Sequence, residues 1–114
     1  MGKLSIMKGK RGEREFCSLL RSKGFTSARR GRQFKGSPDS PDVVGIEGWH
    51  VEVKRTEALS LYEAYRQACE DAGDCDIPVV AHRRNDRPWL MILKAEDLLA
   101  LIRNLEELRN EKKN

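Results

Sequence analysis

The sequence predicts a single α/β domain in which helices flank a central mixed β-sheet. Apolar residues recur at helical spacing near both ends and in the middle of the chain, and they alternate with polar residues in between. A length of 114 residues is enough for one compact core and too short for two. These observations predict the element order α-β-β-β-α-β-β-α, with residues 1–114 forming one domain.

The first two helices are predicted from their apolar stripes and their ends. The first covers residues 9–23, where Gly24 is a typical helix stop. The second covers residues 60–72, with Ser60 as N-cap and Glu63 completing a capping box. The apolar stripe of the first helix contains Phe16, Leu19, Leu20 and Cys17.

The third helix is predicted for residues 95–108, and we expect its apolar stripe to be buried, either within the monomer or across a dimer. The stripe consists of Leu98, Leu99, Ile102, Leu105 and Leu108. The chain ends, residues 1–8 and 110–114, are highly charged, and we expect them to be flexible.

Five segments have the composition or the alternation of strands. Alternation is clearest in residues 49–55, where Trp49, Val51 and Val53 are separated by His50, Glu52 and Lys54. With residues 42–47 this segment predicts a β-hairpin. The other predicted strands are residues 25–30, 77–82 and 89–93.

Charge is distributed unevenly along the chain. Charged residues make up 35% of it, and residues 1–36 contain eleven Lys or Arg but only Glu13 and Glu15 as acids, a net +9. Residues 37–114 carry a net −5, from eleven basic and sixteen acidic residues. The basic third is a candidate phosphate-binding surface, although a solubilising face, a basic arm or another acidic partner would have the same composition.

The cysteines and histidines argue against two other kinds of site. Cys17, Cys69 and Cys75 are odd in number and form no CxxC pair, which favours a reducing compartment over a disulfide framework. His50 and His82 are too few and too scattered to predict a zinc site. No segment has the length of a membrane span or the apolar core of a signal peptide, so we expect a soluble, cytoplasmic protein, in the host cytoplasm if it is phage-encoded.

The residues that best suit a catalytic site are Asp42, Glu52 and Lys54. Glu52 and Lys54 are two residues apart on one predicted strand and share a face, and hairpin pairing brings Asp42 near Glu52. Two carboxylates that converge repel each other unless a cation lies between them. Mg²⁺ prefers such oxygen ligands and activates water for phosphodiester hydrolysis, and a lysine can stabilise the developing negative charge.

The spacing alone is weak evidence, because short acid-x-Lys patterns occur by chance. Glu111 and Lys113 match it too, in the charged tail. The alternative reading of Glu52 and Lys54 is an ion pair on a solvated strand face. The preceding Pro41-Asp42, the strand alternation and the upstream helix with its glutamates favour the catalytic reading.

The ordered set of motifs resembles the PD-(D/E)XK nuclease superfamily, and in particular archaeal-type and phage-type Holliday junction resolvases. The resemblance covers roughly residues 8–93. The matching segments are Lys10-Arg11-Gly12-Glu13-Arg14-Glu15, Gly24-Phe25 leading to Arg29, Pro41-Asp42, Glu52-Val53-Lys54, Pro78-Val79-Val80-Ala81 and Trp89.

The resemblance implies a restriction-endonuclease-like core, a Mg²⁺ cofactor that Mn²⁺ can replace, and a homodimer that cuts opposed strands of a four-way junction. It implies metal binding by Asp42, Glu52 and Glu13, catalysis by Lys54, and DNA contacts by Arg14 and Arg29. The whole set of expected DNA-binding residues is Lys10, Arg11, Arg14, Arg29, Arg30, Arg32 and Lys35.

Some alternatives remain open from the sequence. Asp39 follows another proline, but Asp42 is preferred because the apolar strand starts directly after it. Glu15 competes with Glu13 for the helix position. The competing functions are another repair or restriction-like nuclease, a DNA-binding protein without catalysis, and a basic adaptor without a nucleic-acid partner.

Overall fold

Across residues 2–31 and 41–113, which the computed structural model describes, helices and strands follow in the predicted order. Side chains are described from residue 9 onward within these ranges. Both terminal helices are longer than predicted, and the first two strands are shorter. The elements are α1 (Gly2–Ser22), β1 (Arg29–Arg30), β2 (Val43–Val44), β3 (Trp49–Arg55), α2 (Leu61–Ala72), β4 (Ile77–Arg83), β5 (Leu90–Ile92) and α3 (Ala95–Lys113).

The strands form one five-stranded mixed sheet in the order β1-β2-β3-β4-β5. Neighbours pair antiparallel except β3 and β4, which are parallel and joined through α2. A parallel pair needs such a crossover, because its two strands begin at the same edge of the sheet. This confirms the predicted α/β class with a mixed sheet and flanking helices.

Strand β3 separates two layers of the protein. Val51 and Val53 are buried with Phe16 of α1 in the main apolar cluster. On the other face, α2 packs Ala68 against Val80 of β4 in a second cluster. Since side chains alternate along a strand, β3 directs Val51, Val53 and the terminal Arg55 towards α1, and its polar residues His50, Glu52 and Lys54 towards the side covered by α2.

Helix α1 lies unusually close to β3. A Cβ atom placed on Gly12 would be 2.7 Å from the Cβ of Arg55, so a larger residue would push the helix away from the strand. One turn further along, Phe16 is 1% exposed, and its ring centroid is 5.0 Å from that of Trp89. The helix is therefore held at its midpoint by a close approach to β3 and one turn further along by an aromatic contact.

Two sequence predictions about the helices are wrong. Ser60 is the N-cap of α2 but makes no side-chain capping bond, and the side chain of Glu63, its partner in the expected capping box, forms an ion pair with Arg66. The apolar stripe of α3 is also not buried. Its residues, Leu98, Leu99, Ile102, Leu105 and Leu108, are 42–58% exposed. Helices α1 and α2 already pack on opposite faces of the sheet, and α3 extends beyond edge strand β5.

All three cysteines are free, and Cys17 is buried beside Phe16. Burial raises the pKa of the Cys17 thiol, which keeps it in its neutral form within the core. Among the described residues, no helix combines the length and apolar character needed to cross a bilayer.

Candidate metal and nucleic-acid site

Asp42 is held against strand β3 by its backbone and its side chain. Its N–H donates a hydrogen bond to the carbonyl oxygen of Val51 at 2.9 Å, and its Oδ2 accepts one from the N–H of Val53 at 2.8 Å. With these contacts the carboxyl group lies near enough to that of Glu52 for the negative charge of Glu52 to raise the pKa of Asp42. The hairpin therefore places Asp42 beside Glu52, as the strand alternation predicts.

The two carboxyl groups destabilise each other's charge. Burial, followed by the negative charge of Glu52, raises the pKa of Asp42 from 3.8 to about 7. The hydrogen bond from Val53 opposes this effect, and the charge of Glu13 adds to it. Without a cation, the pair is therefore readily protonated near neutral pH. A divalent cation beside Asp42 and Glu52 would replace that proton, and this is the fit expected of a hard, oxygen-liganded metal.

A cleft opens beside this pair. It has a volume of about 370 Å³ and lies between the first half of α1 and the ends of β1 and β2. Glu13 faces it and accepts a hydrogen bond from Arg30 Nε at 3.0 Å. The cleft is lined by two acidic side chains, Glu13 and Asp42, and by two basic ones, Lys10 and Arg30. Its lining residues are Gly9, Lys10, Glu13, Arg30, Gly31, Pro41 and Asp42.

Behind Asp42, Glu52 belongs to a second group of ligand-type side chains. His50 Nε2 is 2.7 Å from Glu52 Oε1, and His50 is only 3% exposed. One ligand atom each from His50, Glu52 and Asp71 lie within 4.8 Å of one another. The hydrogen bond to Glu52 raises the pKa of His50. Glu52 thus lies close to Asp42 and also to His50 and Asp71.

The sequence did not predict this second group. His50 shares the strand face of Glu52 at a spacing of two residues, and this signal could have identified it. Asp71 lies near the end of α2, and its approach to Glu52 depends on how α2 packs across the sheet. No pattern within a short stretch of sequence predicts how α2 packs on the sheet.

Lys54 follows Glu52 by two residues on β3 and is partly buried. Within the described ranges, it has no ion-pair partner, and it pairs in register with His82 of β4. Among the residues that the structure describes, no carboxylate therefore occupies its amine. Strand alternation places it on the side of β3 that also carries His50 and Glu52.

The predicted DNA-binding residues divide into three groups. Lys10 and Arg30 line the cleft. Arg11, Arg14 and Arg29 are exposed on α1 and β1, and the Arg29 guanidinium donates to the carbonyl oxygen of Ser27 at 3.1 Å. The remaining two, Arg32 and Lys35, lie outside the described residues, as does the alternative acid Asp39.

The two glutamates that competed for the helix position have different surroundings. Glu13 lines the cleft with Asp42, whereas Glu15 accepts hydrogen bonds from Arg55 at 3.3 Å and Arg83 at 3.0 Å. The pairing of Glu15 ties α1 to β3 and β4. Position therefore favours Glu13 as the helix residue that acts at the cleft.

Comparisons of the chain with protein-family models, with curated proteins and with solved structures found no match in any of the three.

Proposed function

We propose that the protein is a Mg²⁺-dependent DNA endonuclease with a restriction-endonuclease-like PD-(D/E)XK core, and that its substrate is the four-way junction. The observation that carries the proposal is the convergence of Asp42 and Glu52 beside an open cleft, with the pKa of Asp42 raised to about 7. Carboxylates that disfavour each other's charge at a water-filled cleft are typical of a site that binds a divalent cation.

Asp42 and Glu52 would hold the cation, with Glu13 contributing from α1. Bound there, Mg²⁺ would supply an activated water and polarise a phosphate oxygen, and Mn²⁺ has the same ligand preferences. His50 is a positioning residue, because its hydrogen bond to Glu52 fixes the orientation of that carboxylate. Lys54 is the catalytic lysine in this proposal, since its unpaired amine can stabilise negative charge on the phosphate.

Nucleic acid is the substrate class that best suits the charges around the cleft. Lys10 and Arg30 line it, and Arg11, Arg14 and Arg29 are exposed on the elements that border it. Lysine and arginine side chains of this kind bind backbone phosphates and release counterions. The cation would neutralise the carboxylates, which otherwise repel a polyanion.

The four-way junction is proposed from the resemblance of the ordered motifs to junction resolvases. Such an enzyme needs two cleavage centres, because two opposed strands must be cut. A homodimer of this chain would supply them, since two-fold symmetry is the commonest arrangement of identical subunits.

The test is cleavage of an end-labelled synthetic four-way junction with Mg²⁺ or with EDTA. We expect paired nicks on opposed strands with Mg²⁺ or Mn²⁺ and none with EDTA. Asp42→Asn, Glu52→Gln and Lys54→Ala should each slow cleavage roughly a hundredfold or more while DNA binding persists. Glu47→Gln and Lys94→Ala remove the same charges at exposed positions away from the cleft and serve as matched controls.

Each alternative gives a different result in this assay. Equal cleavage of linear duplex and junction would remove the junction specificity but keep the nuclease. Salt-sensitive binding without any metal-dependent scission would identify a non-catalytic DNA-binding protein. Full activity of both Asp42→Asn and Glu52→Gln would reject the proposed site.

A further inference from the structure

Helix α3 presents a large apolar surface to solvent. It extends from Ala95 to Lys113, follows edge strand β5, and contains no buried residue. Nothing in the part of the chain that the structure describes covers its large side chains. Those that are 42–58% exposed are Leu98, Leu99, Ile102, Leu105 and Leu108.

These side chains form a stripe. Leu98, Ile102 and Leu105 are spaced four and three residues apart, which places them above one another on the helix. Leu101 and Leu108 extend the same face on one side. The stripe covers about three helical turns, or about 15 Å. An exposed apolar stripe of this length is typical of a helix that packs against another helix.

The charges at the two ends of α3 identify the partner. Its first turn carries Asp97 at the edge of the stripe, four residues before Leu101, and its last turn carries Lys112 and Lys113, which outnumber Glu111. When two copies of the helix lie antiparallel, the acidic turn of each copy is next to the basic turn of the other. A parallel pair would instead place like charges side by side at both ends. The antiparallel arrangement also aligns the two helix dipoles favourably.

We propose that α3 is a dimerisation helix, which pairs antiparallel with α3 of a second copy of this chain through the leucine stripe. Two such faces, with their flanking side chains, bury on the order of 1,000 Å², which is the lower size for a specific interface. A surface that binds its own copy in this way generates two-fold symmetry. The inference does not depend on the nuclease proposal, because it uses no residue of the cleft.

Sedimentation equilibrium of the full chain tests the oligomeric state. We expect the wild type to have twice the monomer mass of 13.1 kDa. Leu105→Glu, or Ile102→Glu as a second variant, should raise the dissociation constant at least tenfold. Circular dichroism should stay unchanged, since both side chains are already exposed in one copy. Ala100→Glu introduces the same charge on the opposite side of the helix and should remain dimeric.

Charge reversal tests the orientation of the helices. Asp97→Lys should weaken the dimer, as should replacing Lys112 and Lys113 by Glu. A mixture of these two variants should form a heterodimer with the affinity restored. In a parallel dimer, reversal at one end would exchange one like-charge pair for another and change little.

A wild type that stays monomeric at high-micromolar concentration would overturn the proposal and assign the stripe to a different partner. Equal dissociation of Ala100→Glu and Leu105→Glu would overturn it as well. Both results can be obtained whether or not the protein cleaves DNA, so failure of this proposal and failure of the nuclease proposal are distinguishable.

Discussion

Replacing Asp42 by Asn should make the metal-free protein more stable at pH 8. The asparagine Oδ1 can still accept the hydrogen bond from the Val53 N–H, which Asp42 Oδ2 accepts at 2.8 Å in the wild type. The substitution removes only the negative charge that faces Glu52. Under the proposed function, a metal-binding residue would thereby be exchanged for one that suits the fold without metal.

The size of the effect follows from the pKa of Asp42, which folding raises from 3.8 to about 7. Between these two values the folded protein keeps a proton that the unfolded chain has lost, so stability falls as pH rises through this window. Three pKa units correspond to at most about 4 kcal/mol, since one unit is about 1.36 kcal/mol. Water in the open cleft reduces this, and we expect a gain of about 1–2 kcal/mol for Asp42→Asn at pH 8.

Urea unfolding in EDTA measures this difference. The free energy of unfolding of Asp42→Asn should exceed that of the wild type at about pH 8, and the excess should shrink towards about pH 4, where the folded wild type keeps its proton and the unfolded chain begins to bind one as well. Glu47→Gln removes an exposed carboxylate and should show no such pH dependence. Millimolar Mg²⁺ at pH 8 should stabilise the wild type but not Asp42→Asn, because the metal binds only the folded, ionised pair.

Two results would refute this reasoning. One is an Asp42→Asn protein that is less stable than wild type by the same amount at both pH values, which would show that the carboxylate has a purely structural role. The other is equal stabilisation of both proteins by Mg²⁺, which would place the metal elsewhere.

Three further substitutions test the packing around the site by urea unfolding. Phe16→Ala should cost about 3–5 kcal/mol and change the near-UV signal of Trp89, because a ring that is 1% exposed would be lost; a loss below about 1 kcal/mol would contradict the core assignment. Gly12→Val should cost about 1–3 kcal/mol, since its Cβ would lie 2.7 Å from that of Arg55, and an unchanged midpoint would show that α1 can move away freely. Glu15→Gln should cost about 1–3 kcal/mol, because one buried guanidinium nitrogen of Arg55 already has no hydrogen-bond partner among the described residues; full stability would mean that water replaces the ion pair.

The parts of the structure that were predictable from sequence are those with a local signal. Period-two alternation over residues 49–55 predicted strand β3 and the common face of Glu52 and Lys54. The adjacent apolar segment after Pro41 predicted the hairpin that brings Asp42 to Glu52. Such features depend only on neighbours along the chain and on strand pairing, so a single sequence contains them.

The parts that sequence did not predict depend on contacts between distant segments. The approach of Asp71 to His50 and Glu52 requires α2 to cross the sheet at a particular position. The exposure of Leu98 and its neighbours on α3 arises because α1 and α2 already pack on the two faces of the sheet. Amphipathic periodicity predicts that a helix has an apolar face, but it does not predict what covers that face.

The two-faced character of β3 has a consequence for folding. A slip of one residue in its pairing would turn Val51 and Val53 towards the polar groups on the face that α2 covers, and turn His50 and Glu52 towards the apolar layer beneath α1. Burying an unpaired carboxylate there would cost several kcal/mol, so mispaired chains would be strongly disfavoured. The ionisable side chains on this face of β3 therefore favour the correct alignment of the strand, in addition to any chemistry they perform.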